Sequence, residues 1–180
     1  MTQLCLRNRQ RARAIDLRLL RKITLGLLKD ILQEPEFELG IHLVAASEMA
    51  QINETFLEHS GSTDVITFDY CQRAADILSA EKSQANREVA LPTGCRQHVL
   101  HGEIFISIDD AVKQAREFQP TWQSELVRYI VHGILHLKDF DDLDSASRRK
   151  MKREENRLLA KLSRRFALGK LQRQPKIKNG

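Results

Sequence analysis

The 180-residue chain has the size and composition of one globular domain with a single sizeable core. Hydrophobic residues make up 42% of it and charged residues 29%, and no apolar run approaches the roughly 20 residues of a transmembrane span. Its three cysteines are an odd number at wide spacing, which indicates free thiols in a reducing compartment rather than a disulfide framework. Because residues 1–13 also lack the pattern of a secretory signal, we expect a cytoplasmic protein.

The formal net charge is +5, and the excess of arginine and lysine is concentrated in residues 7–22 and 148–178. Clusters of this kind suit a polyanion, and nucleic acid is the commonest such partner. The alternative is a solvated helix face followed by a frayed tail, and charge alone leaves the two interpretations open.

The two ends, residues 1–14 and 169–180, are basic and are predicted to be flexible, which leaves a single domain over residues 15–168. Apolar residues at every fourth position predict a helix over 15–33. Alternation of apolar and polar residues then predicts a half-buried strand over 37–43.

The next elements follow at irregular spacing. Ser47 is predicted to cap a helix that Gly61 ends, and the β-branched run at 65–68 predicts a short strand. Residues 70–100 are the least regular stretch and are interpreted as a long loop. In the strand over 37–43, His42 lies away from the apolar set, so we expect it to be exposed.

Residues 103–108 give the clearest strand pattern, and three predicted helices follow it. Asp109 is predicted to cap the first of them, Pro120 and Thr121 to start the second, and Asp144 or Ser145 to cap the third. Strands and helices are mixed without a regular βα repeat. The sequence therefore predicts an α+β fold, a small mixed sheet packed with about five helices.

Two histidines, His132 and His136, are four residues apart on the predicted second helix of this group. Both imidazoles then lie on one helix face, about one turn apart, where two neutral nitrogens can bind the same metal ion. An isolated HxxxH pair is more often structural than metal-binding, so the context decides.

An acidic turn follows the pair, with Asp139, Asp141, Asp142 and then Asp144. A carboxylate six residues after His136 can fold back as a third ligand, and three protein ligands with an open position are typical of a catalytic zinc site. For Asp144 the interpretation as a helix cap is preferred.

The pair does not form the HExxH motif, because Gly133 stands where a zinc protease carries its general-base glutamate. Glycine inside a helix costs about 1 kcal/mol relative to alanine. We therefore expect close packing of this helix against a neighbour beside the metal.

Residues 132–142 read HGILHLKDFDD, which resembles the HGxLHLxGYDH signature of the YbeY family of endoribonucleases. Upstream, residues 63–68 (TDVITF) resemble the family's Thr-Asp-Val-Leu-Ser-Phe strand, and residues 102–107 (GEIFIS) resemble its Gly-Asp-Ile-x-Ile-Ser strand. Asn53 matches the family's Leu-Asn helix. Several ordered motifs that match together are far more specific than any one of them.

The resemblance implies a single-domain metallohydrolase with one zinc ion, held by His132, His136 and Asp142, on a helix and the turn after it. It also implies cleavage of single-stranded RNA, with a role in small-subunit rRNA processing and ribosome quality control in the cytoplasm. The implied partners are rRNA, the small ribosomal subunit and its assembly factors. Basic side chains would hold the RNA backbone, and Arg128 is one candidate.

The chain departs from the family pattern at functional positions. Asp142 stands where the family has its third histidine ligand, and carboxylate oxygen is an acceptable zinc ligand. Asp139 replaces a family glycine, and aspartate is among the residues that best tolerate a positive φ. Leu57 replaces a family arginine, and His59 or His101 are candidates to supply a donor in its place.

Three functions follow from these observations. The first is a zinc-dependent endoribonuclease. The second, which Leu57 and Asp142 motivate, is a ribosome-assembly factor that keeps the fold with little or no activity. The third is a metal-dependent hydrolase of another class, such as a peptidase, which Gly133 disfavours.

Overall fold

The structure, a computed structural model, describes residues 2–71 and 99–173. Most of the loop predicted over 70–100, and the end after residue 173, lie outside the described residues. Within the described part no helix is both long enough and apolar enough to cross a membrane. The fold is α+β, as the sequence predicts.

A four-stranded mixed sheet forms the centre of the fold. Strand β2 lies between β1 and β4, and these three strands are parallel, whereas β3 pairs antiparallel with the other side of β4. The strands are β1 (Thr2–Asn8), β2 (Phe37–Val44), β3 (Val65–Asp69) and β4 (Leu100–Ser107).

The described residues contain five α-helices, in agreement with the predicted number. The first, second and fourth contact the sheet, and the third and fifth pack mainly on the fourth. A six-residue π-helical segment (Gly26–Ile31) continues the first helix, and a short 3-10 turn (Leu168–Leu171) follows the last. The helices are α1 (Leu17–Leu25), α2 (Ala46–Leu57), α3 (Ile108–Phe118), α4 (Trp122–His136) and α5 (Ser145–Arg165).

The predicted flexibility of both ends is wrong for the residues that the structure describes. Residues 2–8 form the edge strand β1, in which Leu4 is buried in the core. The guanidinium of Arg21 donates a hydrogen bond to the carbonyl oxygen of Leu4 at 2.7 Å. At the other end, Gln172 forms a β-bridge with Ile15. The ends were mispredicted because their apolar residues are few among many basic ones. A short pattern of this kind indicates a strand only when the strand that pairs with it is known.

Two predicted helix caps are also wrong, and one carboxylate explains both. Ser107, not Asp109, caps α3 by accepting a hydrogen bond from the Asp110 amide. The Asp109 carboxylate instead accepts a 2.8 Å hydrogen bond from the amide of Ala46, the first residue of α2. Helix α2 therefore starts without the predicted Ser47 cap, because a side chain from another helix satisfies its first amide.

The expected exposure of His42 is wrong as well, since only 4% of the residue is exposed. The alternation was assigned correctly, and His42 does point away from the main core. Its ring stacks on Phe105 of the neighbouring strand at 4.5 Å, and its Nε2 lies 3.1 Å from the Glu103 carboxylate. Side chains of the neighbouring strand β4 cover His42 on this face. The sequence pattern of a single strand does not reveal such neighbours.

Helix α4 lies across the sheet at Gly133, and the contact there is tight. A Cβ atom at this position would come within 2.7 Å of the Ile104 side chain and 3.0 Å of the Thr67 hydroxyl. The prediction that glycine allows close packing beside the histidines is confirmed. The carboxyl-terminal half of α4, which carries both histidines, is thereby fixed against β3 and β4.

Candidate metal centre

His132 and His136 lie on one face of α4, as the four-residue spacing predicts. Their Nε2 atoms are 3.0 Å apart, and the ring planes are nearly perpendicular, at 82°. A tetrahedral zinc ion with Zn–N bonds of about 2.0–2.1 Å holds two nitrogen ligands about 3.3 Å from each other. The two nitrogens therefore already converge on one point at a distance close to that of a ligand pair.

The turn after α4 brings the chain back toward the histidines. The Phe140 amide donates to the Leu135 carbonyl at 3.0 Å and the Asp139 amide donates to the His136 carbonyl at 3.1 Å. This is the hydrogen-bond pattern of a Schellman turn, which needs a residue with left-handed φ at the position that Asp139 occupies. Asp139 has a φ of +60°, which gives the physical reason for the family glycine at this place.

Asp142 follows this turn and adds a carboxylate oxygen to the two histidine nitrogens. One ligand atom each from His132, His136 and Asp142 lie within 4.8 Å of one another. The Asp141 carboxylate holds the local backbone by accepting from the amides of Asp142 and Leu143. The sequence analysis selected these three residues, and the fold brings them together.

Helix α5 supports the Asp142 turn from outside. The Arg148 guanidinium donates two hydrogen bonds, of 3.2 and 3.1 Å, to the carbonyl oxygen of Asp142. Asp144, one of the two predicted caps, accepts from the Ala146 and Ser147 amides and starts α5. The position of the third candidate ligand therefore depends on the beginning of α5.

Glu155 of α5 holds His132 from the side opposite its Nε2. Its side chain is only 5% exposed, and its Oε1 lies 3.0 Å from His132 Nδ1. Its Oε2 accepts from Arg128 at 3.2 Å and from Lys152 at 3.1 Å. Burial acts to raise the pKa of Glu155, but the hydrogen bonds from His132 and Lys152 outweigh it and hold that pKa at about 2.

An ionised Glu155 fixes the tautomer of His132. A carboxylate can only accept, so in the neutral imidazole of a metal ligand the proton lies on His132 Nδ1 and Nε2 presents a lone pair to the converging point. The surroundings of His136 favour its neutral form. Burial, followed by the neighbouring His132 ring, lowers the pKa of His136, and these effects outweigh the carboxylates of Asp142 and Asp141.

These observations meet the requirements of a divalent metal site. Two neutral imidazole nitrogens and one carboxylate oxygen form a donor set that zinc accepts, and three protein ligands leave a position open for substrate. A carboxylate orients one of the imidazoles, as metal-binding histidines require. His132, His136 and Asp142 therefore form a candidate metal centre.

A cleft of about 650 Å³ opens beside the two histidines. Leu57 and Leu143, which are 44% and 84% exposed, belong to its wall. Its carboxylates are Asp69, Asp139 and Asp141, and no lysine or arginine lines it among the described residues. A second cleft, of about 620 Å³, also reaches His132, and its wall contains Arg128, Lys152 and Glu155.

Several residues considered in the sequence analysis lie elsewhere or have other contacts. Arg128, named above as a candidate for holding the RNA backbone, pairs with the buried carboxylates of Glu125 and Glu155. Neither His59 nor His101 belongs to the described wall of the metal cleft. His101 lines a separate cleft with His42 on the face of the sheet opposite the helix α4 contact.

The sequence analysis gave no role to Glu155 and Arg148. A signal for Glu155 exists, because Met151, Leu158 and Leu162 form the buried stripe of α5 and Glu155 occupies a position within it. A carboxylate on an apolar stripe needs a buried partner. For Arg148 the sequence offers no comparable signal, since it stands among five exposed basic residues.

The chain matches the family model described as Endoribonuclease YbeY over residues 6–163. It is 30% identical over 168 residues to the Endoribonuclease YbeY of Syntrophotalea carbinolica, a match that covers 92% of this chain and 99% of the relative. With the Endoribonuclease YbeY of Phocaeicola vulgatus it shares 31% identity over 126 residues, or 70% of this chain and 74% of the relative.

Among solved structures, the chain is similar to the solution structure of TM1509 from Thermotoga maritima. The TM-score is 0.60 at 18% sequence identity, and the match covers 98% of this chain and 99% of that protein. At this level of identity the similarity supports the fold.

Proposed function

The chain belongs to the Endoribonuclease YbeY family, and on that basis we propose that it is a zinc-dependent endoribonuclease specific for single-stranded RNA. The proposed substrate is rRNA, in maturation and quality control of the small ribosomal subunit in the cytoplasm. Family membership supports the endoribonuclease activity. The metal, the substrate and the ribosomal partners are inferences from the resemblance and from the site.

One observation carries the proposal for the metal, the convergence of His132, His136 and Asp142 within 4.8 Å. A chance cluster on a surface would not also have a buried carboxylate holding the outer nitrogen of one histidine. Glu155 does this for His132 at 3.0 Å. A ligand set with its own orienting group is typical of a functional metal site.

In this mechanism the role of the protein is to hold the metal ion and to position the RNA phosphodiester next to it. A bound zinc ion would contribute Lewis-acid polarisation of a phosphoryl oxygen and activation of a water or ribose 2′-OH nucleophile. His132 and His136 would each offer one ring nitrogen to the ion, and Asp142 would offer a carboxylate oxygen. The apolar side chains of Leu57 and Phe140 line the cleft beside the two histidines.

The experiment compares cleavage of a single-stranded RNA and of a matching duplex by the full-length protein, before and after chelation and after addition of zinc. We expect cleavage of the single strand alone, its loss with chelator and its recovery with zinc. The H136A variant should neither retain stoichiometric zinc nor cleave. Cleavage that persists in chelator, or no cleavage by the zinc-loaded protein, would contradict the proposal.

A second function is favoured by a specific observation at the cleft. Leu57, in place of the family's basic residue, is exposed beside the candidate metal site, and the described wall there contains no lysine or arginine. A ribosome-assembly factor with little catalytic rate fits this surface. It predicts binding to small-subunit particles that is insensitive to D142A, whereas the endoribonuclease predicts a large loss of cleavage in that variant.

A zinc peptidase fits the structure less well. A glutamate at position 133 would be the general base, and the space there is filled, because even a Cβ atom would come within 2.7 Å of Ile104. A screen of peptide substrates with the zinc-loaded protein should show no turnover.

A further inference from the structure

Apart from a bound metal ion, the metal cleft offers a polyanion no positively charged side chain among the described residues. Its described wall contains Asp69, Asp139 and Asp141 and no lysine or arginine. A nucleic-acid backbone is held by lysine and arginine next to its phosphates. If the substrate is RNA, as proposed above, the phosphates that flank the cleaved one must be bound by residues outside this cleft.

A concentration of positive charge lies on the first part of α5. Between Ser145 and Arg153 there are five basic residues and no acidic one. All five are exposed in the structure. They are Arg148, Arg149, Lys150, Lys152 and Arg153, and we refer to them as the basic row.

The basic row borders the candidate metal centre directly. Arg148 donates two hydrogen bonds to the carbonyl of Asp142, and Lys152 lies 3.1 Å from the carboxylate that holds His132. The same lysine, 60% exposed, also belongs to the wall of the second cleft. Two members of the row therefore contact the candidate third ligand or the carboxylate that orients His132.

Two members of the row have no acidic partner among the described residues. Arg149 and Arg153 form no ion pair within the described part of the chain, in contrast to Arg128 and Arg157, which pair with glutamates. Four residues apart on one helix, Arg149 and Arg153 point to the same side, about 6 Å from each other along the axis. They can contact successive backbone phosphates without breaking any interaction of the fold.

We propose that the basic row of α5 is the phosphate-binding track for single-stranded RNA, with Arg149 and Arg153 as its outer contacts. The track supplies the positive charge that position 57 lacks, and it places the RNA backbone along α5. The unpaired bases then face the apolar wall of the metal cleft at Leu57 and Leu143. This inference rests on the proposed function and specifies where its substrate binds.

The test measures binding separately from cleavage. Fluorescence anisotropy follows a labelled single-stranded 2′-O-methyl oligonucleotide, shown by gel to stay intact, with the full-length protein over a series of salt concentrations. The variant R149Q/R153Q is compared with K161Q/R164Q, which removes two equally exposed charges from the far end of the same helix. Both residues of the first variant avoid contact with the candidate ligands and their supports.

We expect R149Q/R153Q to raise the Kd roughly tenfold at about 0.1 M salt. Each phosphate contact contributes about 0.7 to the slope of log K against log salt, so this slope should fall by about 1.4. The control variant should keep the wild-type slope and a Kd within about twofold of wild type.

Equal effects of the two double variants, or an unchanged slope in R149Q/R153Q, would overturn the inference. The proposed function fails by a different result, namely no cleavage of unmodified RNA by the zinc-loaded wild-type protein. Because binding is measured on an uncleaved strand, a loss of affinity confined to R149Q/R153Q supports the track even if no cleavage is seen.

Discussion

The two parts of the candidate metal centre are held in place by different means. The two histidines project from a helix that is packed tightly on the sheet, and a buried glutamate orients one of them. Asp142 lies in an exposed turn, where its amide donates to the Asp141 carboxylate and its carbonyl oxygen accepts from Arg148. Packing therefore fixes the two histidines without a metal ion, whereas the position of Asp142 depends on a few polar contacts.

This difference explains which changes a metal site tolerates. Ligands on α4 cannot move without shifting the helix against β3 and β4. The turn can adjust by small rotations of its backbone, so it can accommodate aspartate where relatives of the family carry histidine. Three predictions test this contrast between helix and turn.

Removal of the turn ligand should have the largest effect. In D142A one ligand is lost outright, so zinc affinity should fall more than the roughly 10- to 100-fold that loss of a supporting residue causes. In D142H an imidazole takes its place, and affinity should return to the wild-type level or above it. Competition with a chromogenic zinc chelator measures both. Full zinc occupancy in D142A would show that Asp142 is not a ligand.

Removal of the orienting carboxylate should have an intermediate effect. In E155A the tautomer of His132 is no longer fixed and Arg128 loses a buried partner, so zinc affinity should fall about 10- to 100-fold. In E155Q the amide oxygen can still accept from Nδ1, and the loss should be smaller. The neighbouring E154A, which breaks only an ion pair with Arg157, is the matched control and should bind zinc normally. If E154A and E155A lose affinity equally, Glu155 has no specific role.

The smallest effect on metal affinity is expected from the helix contact itself. In G133A, overpacking against Ile104 costs about 1–3 kcal/mol, which the better helix propensity of alanine offsets by about 1 kcal/mol. The free energy of unfolding should therefore fall by up to about 2 kcal/mol, with zinc affinity reduced less than about tenfold. Urea unfolding measures the first quantity and chelator competition the second.

Gly169 is the control for this last prediction, since a Cβ atom there would have no neighbour within 4 Å. G169A should leave both quantities nearly unchanged, within about 0.5 kcal/mol for unfolding. A G133A protein as stable as G169A would mean that α4 is not held by this contact, and the contrast between helix and turn would lose its basis.

Much of the fold and the site follows from local sequence patterns. The histidine pair, the start of α4 at Thr121 and the cap of α5 at Asp144, one of two residues named for it, depend on residues close in the chain, and the structure agrees with them. Asp139, noted for its tolerance of a positive φ, adopts one. Helical periodicity likewise locates α4 and α5. The family resemblance adds Asp142 to the histidine pair, so all three candidate ligands are named from the sequence.

The features that were missed depend on residues far apart in the chain. The edge strand β1 is defined by pairing with β2, and the burial of His42 by Phe105 of another strand. The cap of α2 comes from Asp109, and the partner of His132 is Glu155. A pattern within one segment cannot report such contacts, because each needs the position of a second element.

The contact between Arg21 and the edge strand has a consequence for the behaviour of the protein in concentrated solution. A sheet edge with a free carbonyl row can recruit a strand from another molecule. Arg21 occupies the Leu4 carbonyl at this edge and adds positive charge beside it. The arginine thus disfavours the addition of a strand from another molecule. Added salt shortens the range of electrostatic repulsion, so the contribution of its charge should weaken as the salt concentration rises.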